Sequence, residues 1–105
     1  VSGACLLIRR SFAEAAGLLD ERFFLYGEDV DFCATVRQLG GKVLFVPEIE
    51  VLHHRGRSSA INPTQKQEAC RRSQLAFYEK HHPAWLPILR LYLRIKRQLP
   101  STEET

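Results

Sequence analysis

Residues 42–54 read KVLFVPEIEVLHH, two runs rich in β-branched and aromatic side chains that part at Pro47. Val, Ile and Phe suit a pleated surface and Pro lacks the N–H of a ladder donor, so the pattern predicts two β-strands separated around Pro47. A third strand is predicted at GACLLIRR, an apolar run after Gly3 that ends at Arg9 and Arg10. Helical signals lie between and after these runs. Strands and helices alternate early and helices finish the chain, which sets the expected class as α/β.

The helices are marked by their ends. In SFAEAAG, Ser11 and Glu14 have capping-box spacing and Gly17 suits a left-handed terminus, predicting a short helix over 12–16. Asp29 stands where an N-cap belongs, ahead of VDFCATVRQLGG, whose Val30, Cys33, Ala34, Val36 and Arg37 follow helical spacing up to Gly40. Asn62 and Pro63 start a helix expected to run from about Thr64 to His81. Pro83 breaks it, and AWLPILRLYLRIKRQL resumes a helical pattern before a frayed PSTEET tail.

With 105 residues and 45% hydrophobic content, the chain suits one domain, or a large piece of one, with a modest core. It opens on Val1 and contains no Met, so a longer natural chain is expected upstream. Cys5, Cys33 and Cys70 form an odd set without CxxC spacing and read as buried free thiols of a reducing compartment. No apolar run approaches the roughly 20 residues that span a bilayer, and no signal-peptide pattern opens the chain. Residues 1–50 carry five basic and eight acidic groups, and residues 51–105 ten basic and four acidic. That asymmetry suggests a carboxylate-dependent site in the first half and an anionic partner for the second.

Three carboxylates, Glu28, Asp29 and Asp31, follow the greasy approach RFFLYG. A structural role explains part of this, with Asp29 capping a helix, Asp31 in its first turn and Glu28 solvated. Phe23, Phe24 and Tyr26 against the cluster would instead desolvate a carboxylate and raise its pKa toward the range of a general base. The Asp29-Val30-Asp31 spacing matches metal-binding DxD motifs, but those ordinarily end a strand. An EF-hand is excluded by Phe32, Cys33 and Ala34. His53 and His54 end the last strand, where adjacent side chains face opposite ways, and no HExxH accompanies them. His81 and His82 read as helix-terminal cations without a site.

In order, the GA strand, the G-x-x-DE-x-FF-x-Y-x-ED-x-D block, the G-x-x-V-x-x-VP strand and the H-H-x-G-x-S loop resemble family 2 inverting glycosyltransferases, their rhamnosyltransferase-like branch in particular. The likeness runs over about residues 1–82. It implies the C-terminal, acceptor and catalytic-base half of a GT-A domain that lacks its N-terminal nucleotide-binding half, and a chain inactive by itself. It also implies Asp29 as general base, with Glu28, Asp31, Tyr26 and Gly3 on the acceptor side. His53 would serve a divalent metal, magnesium or manganese, completed by the N-terminal half. His54, Arg55, Arg57 and Ser58 would lie along the diphosphate, His54 being the weaker candidate because it should face away. Leu18 and Leu19 replace a common Gly-aromatic pair before the DE. The implied partners are a nucleotide-sugar donor and a glycan or lipid-linked acceptor.

Residues 83–105 form a separate basic amphipathic end. Trp85, Ile88, Leu89, Tyr92 and Ile95 make an apolar stripe opposite Arg90, Arg94 and Arg97, the pattern of a helix on an anionic membrane surface. The expected location is cytoplasmic, peripheral on the cytoplasmic face of a membrane. A bare sheet edge offers a route to a homo-oligomer. The rival reading is a non-catalytic membrane-surface or protein-binding module with structural acids; no nucleic-acid module is recognisable, and nucleic acid is not an expected partner.

Overall fold

The computed structural model describes residues 3–54 and 62–100. Their regular elements are all helical: α1 (Arg10–Ala15), α2 (Glu28–Gln38), α3 (Pro63–His81), a 3-10 turn (Pro83–Trp85) and α4 (Leu86–Ile95). The expected strands at 3–8, 42–47 and 48–54 are not formed, and no described residue is in a sheet. Among the described residues the α/β expectation is therefore not met by any strand, and no sheet edge is present among them for a second copy to pair with.

The physical reason is where the hydrogen bonds close. A helix satisfies its backbone within one segment, whereas a strand needs the N–H and C=O groups of a neighbour. Residues 42–54 keep the side-chain pattern of strands, and the chain does turn at Pro47, where the Ile49 N–H donates to the Val46 carbonyl at 3.3 Å. Their apolar side chains, Leu44, Phe45 and Leu52 among them, are largely exposed.

The chain packs as two units, Val1–Glu21 with Glu28–Ala60, and Arg22–Gly27 with Ile61–Thr105. α3 and α4 lie in the same unit.

In the first unit α1 begins two residues earlier than the capping box predicts. Arg9 is its N-cap without a side-chain bond, Ser11 lies inside the helix, and Glu14 pairs with Arg10 at 2.7 Å instead. Its end follows the Schellman pattern: the Gly17 N–H donates to Glu14 O and the Leu18 N–H to Ala13 O. α2 ends the same way, with Gly40 bonded to Arg37 O and Gly41 to Val36 O. The buried side chains here are Phe32 and Val36, together with Asp31. Leu6, Ile8, Phe12, Phe32, Val36 and Val43 are among the residues around an apolar groove of about 460 Å³.

In the second unit Asn62 Oδ1 accepts the Thr64 N–H at 3.0 Å, and Pro63 occupies the first turn, as the sequence predicts. Phe23, Leu89, Leu93 and Ser73 are its buried residues. α4 turns Leu89 and Leu93 inward and leaves Trp85, Ile88, Tyr92 and Ile95 exposed, so the expected single stripe is divided between interior and surface. All three cysteines are free thiols; Cys5 is exposed rather than buried. Among the described residues no helix is long and apolar enough to cross a membrane.

Candidate functional site

The acidic cluster is built on the first turn of α2. Asp29 lies within the helix rather than before it, since the helix starts at Glu28. Its carboxylate nevertheless accepts two backbone amides: Oδ1 takes the Val30 N–H of the same first turn at 2.8 Å, and Oδ2 takes the Gly3 N–H at 2.8 Å. The second bond spans 26 residues of sequence. A carboxylate held through both oxygens is fixed in plane and direction, and each oxygen retains acceptor capacity for one further donor.

Gly3 brings the second acid into the same place. A Cβ built there would lie 3.7 Å from both Asp29 Oδ2 and Glu28 Oε1, so the two carboxylates converge on this glycine. Glu28 Oε2 is shielded from solvent and has no hydrogen-bond partner among the described residues. Asp31 is only 2% exposed, and Thr35 Oγ1 donates to its main-chain carbonyl at 3.0 Å. Gly3, Glu28 and Asp29 therefore form one constellation, and Asp31 stands inside the same unit on the next part of the helix.

Phe24 is 91% exposed, and Phe23 is buried in the second unit with the Lys80 ammonium 6.0 Å from its ring centroid. Tyr26 also belongs to that unit and takes a left-handed backbone at φ +66, followed by Gly27 at φ +89. Side chains rarely hold that conformation unless their surroundings impose it. Here Ser73 of α3 donates from Oγ to the Leu25 carbonyl at 3.2 Å, while a Cβ on Gly27 would touch Phe23 and Ser73 at 3.3 Å. Lys66 lies 5.4 Å from the Tyr26 ring centroid, and its pKa is raised, first by a hydrogen bond to Tyr26 and then by charge attraction to it.

His53 and His54 are both exposed in an irregular segment, so the opposite facing expected of strand neighbours does not apply. Arg55, Arg57 and Ser58 lie outside the described residues. Among the described residues no three His, Cys, Asp or Glu side chains group closely enough to hold a metal ion. Sequence reasoning missed Ser73 as the anchor of the 23–27 loop and Arg72 as a neighbour of Arg90 and Arg94. A buried Ser inside an otherwise polar helix carries no signal in sequence alone.

The family model described as "Glycosyltransferase like family 2" matches residues 1–86. An N-acetylglucosaminyl-diphospho-decaprenol L-rhamnosyltransferase of Mycobacterium tuberculosis is 39% identical over 85 residues, 81% of this chain and 28% of the relative, in each of two strains. The uncharacterized protein y4gI of Sinorhizobium fredii is 29% identical over 87% of this chain and 11% of its own length. The O-antigen biosynthesis protein RfbC of Myxococcus xanthus is 33% identical over 55% of this chain and 4% of its own length. The chain thus spans little more than a quarter of the length of the M. tuberculosis relatives. No solved structure matches it.

Proposed function

The chain belongs to glycosyltransferase-like family 2, and on that premise we propose that it carries the acceptor side of an inverting glycosyltransferase, with Asp29 as general base. The observation that supports this most directly is the convergence of Asp29 and Glu28 on Gly3, with the Asp29 carboxylate oriented by the Gly3 and Val30 amides. The donor is a nucleotide sugar and the acceptor a lipid-linked glycan, a reading that rests on the names of the rhamnosyltransferase and O-antigen relatives. Rhamnosyl transfer in the assembly of a cell-surface polysaccharide is the favoured case.

The chemistry follows from a single displacement. The acceptor hydroxyl attacks the anomeric carbon, the new C–O bond forms as the bond to the diphosphate breaks, and Asp29 takes the hydroxyl proton. Nucleoside diphosphate leaves on the opposite face, which inverts the anomeric centre. Glu28, whose Oε1 lies at Gly3 beside Asp29 Oδ2, is suited to a second hydroxyl of the acceptor, fixing the attacking group against Asp29. Residues 42–54, with strand-like side chains and no ladder, are read as GT-A strands that pair with sequence outside this chain.

The test is nucleoside diphosphate release by the full-length enzyme carrying Asp29→Asn. Loss of a general base removes about 10² to 10⁴ in rate, so kcat should fall by at least a hundredfold with donor binding unchanged. A variant keeping more than about a tenth of kcat would refute the assignment. The rival reading, structural acids in a binding module, draws support from the two backbone amides on Asp29. It predicts a drop in thermal stability with no defect in turnover once the variant is folded.

A further inference from the structure

We infer that α4 and the adjoining face of α3 form a docking surface for an anionic lipid bilayer. α4 has two apolar sides. Leu89 and Leu93 point inward, and on the other side Ile88, Tyr92 and Ile95, with Trp85 from the preceding turn, recur at i, i+3, i+7 and i+10. Trp85 and Ile88 are 59% and 58% exposed and Ile95 71%, an apolar row with no covering among the described residues. Trp and Tyr in such a row are side chains whose rings settle at the level of lipid headgroups.

Charge decides the occupant. No acidic residue falls between Pro83 and Leu99, whereas Arg90, Arg94, Lys96 and Arg97 do. Arg90 and Arg94 have no ion-pair partner among the described residues, and both line a groove of about 590 Å³ with Arg72, Leu75, Pro87 and Leu91. Arg72 is also within 3.4 Å of Glu68. Three guanidinium groups around an apolar floor, beside an exposed aromatic and aliphatic row, match a phosphate headgroup with an acyl chain beneath it. A second copy presenting the same basic face would instead bring like charges together. This inference does not depend on the transferase reading.

The experiment mixes the 105-residue chain with vesicles of phosphatidylcholine alone or with equal parts of phosphatidylglycerol, reading co-sedimentation and Trp85 emission. Trp85 is the one tryptophan of the sequence. Binding and a blue shift are expected on anionic vesicles, with little on neutral ones, and both should fade as salt shortens the Debye length from about 10 Å to about 3 Å. Because each basic group contributes roughly fivefold near such a surface, Arg90→Glu with Arg94→Glu should weaken binding at least about 25-fold. Ile88→Ser with Ile95→Ser should abolish the blue shift while leaving salt-sensitive adsorption. Circular dichroism confirms that both double variants remain folded. The proposal is overturned if emission is already blue without lipid and lipid leaves it unchanged. Equal binding to neutral vesicles, an unaffected arginine double variant, or a stable dimer that hides Trp85 would overturn it equally.

Discussion

Gly40 and Gly41 adjoin at the end of α2, and the structure gives them opposite reasons for being glycine. Gly40 takes φ +81 with open space where a Cβ would go. Gly41 has no such backbone demand, but a Cβ there would stand 2.6 Å from Val36 Cγ1, 2.9 Å from Phe12 Cε1 and 2.9 Å from the Val36 carbonyl oxygen. That oxygen also accepts the Gly41 N–H at 2.9 Å, so it cannot retreat without losing the bond that ends the helix. Gly40→Ala should therefore cost about 1–2 kcal/mol, the left-handed penalty of an L-residue, and Gly40→Asn distinctly less. Gly41→Ala should cost about 1–3 kcal/mol through overpacking, and Gly41→Asn no less than Ala. Adding Val36→Ala removes the closest contact and leaves the carbonyl one, so the double variant should fall short of additivity by about 0.5 kcal/mol or more. Urea unfolding followed by far-ultraviolet circular dichroism measures these five and the Val36→Ala single variant that the comparison requires. If Gly41→Ala changes stability by less than about 0.5 kcal/mol, or Asn rescues position 41 as it does position 40, the packing account is wrong.

Leu93 is fully buried, and Leu93→Ala should destabilise the second unit by about 2–5 kcal/mol in the same assay, whereas Leu91→Ala, at an exposed position, should stay within about 0.5 kcal/mol. Lys66 has its folded pKa raised above the ordinary 10.5 by Tyr26, so the protonated form is favoured in the folded state and the benefit is complete below 10.5. It is lost as pH rises through the raised value. The stability gap between wild type and Lys66→Met should accordingly hold from neutral to mildly alkaline pH and close above it, and a gap that widens with pH would contradict the Tyr26 contact.

Local signals were legible where the chain satisfies itself. Asn62 with Pro63 marks the start of α3, Gly40 the end of α2, and Pro83 the break before α4, because caps and breakers act within a few residues of themselves. The capping box at Ser11 failed for a similar local reason: with Arg10 able to pair with Glu14 one turn on, the helix starts earlier and takes Ser11 inside. At 42–54 the strand pattern stands without a ladder among the described residues, because β-propensity records fit to a pleated surface, not possession of a partner. In α4, periodicity found the apolar residues but not which of them face inward, since a helix that is apolar over more than half its girth has two candidate faces.

The acid cluster separates what sequence can and cannot say about a site. Three carboxylates within four positions look equivalent on paper, yet one helical turn gives them different surroundings. Asp29 has both oxygens on backbone amides and still offers lone pairs outward, Glu28 keeps one oxygen shielded and without a donor, and Asp31 is enclosed. A group that must take a proton at a defined point needs the first arrangement, in which direction is fixed before the substrate arrives. Asp31, enclosed in the same turn, also stands where negative charge near a helix start is favourable. The bond from Gly3 joins residues 26 positions apart, a pairing that caps and periodicity do not signal and that only the family resemblance puts on one side of the site.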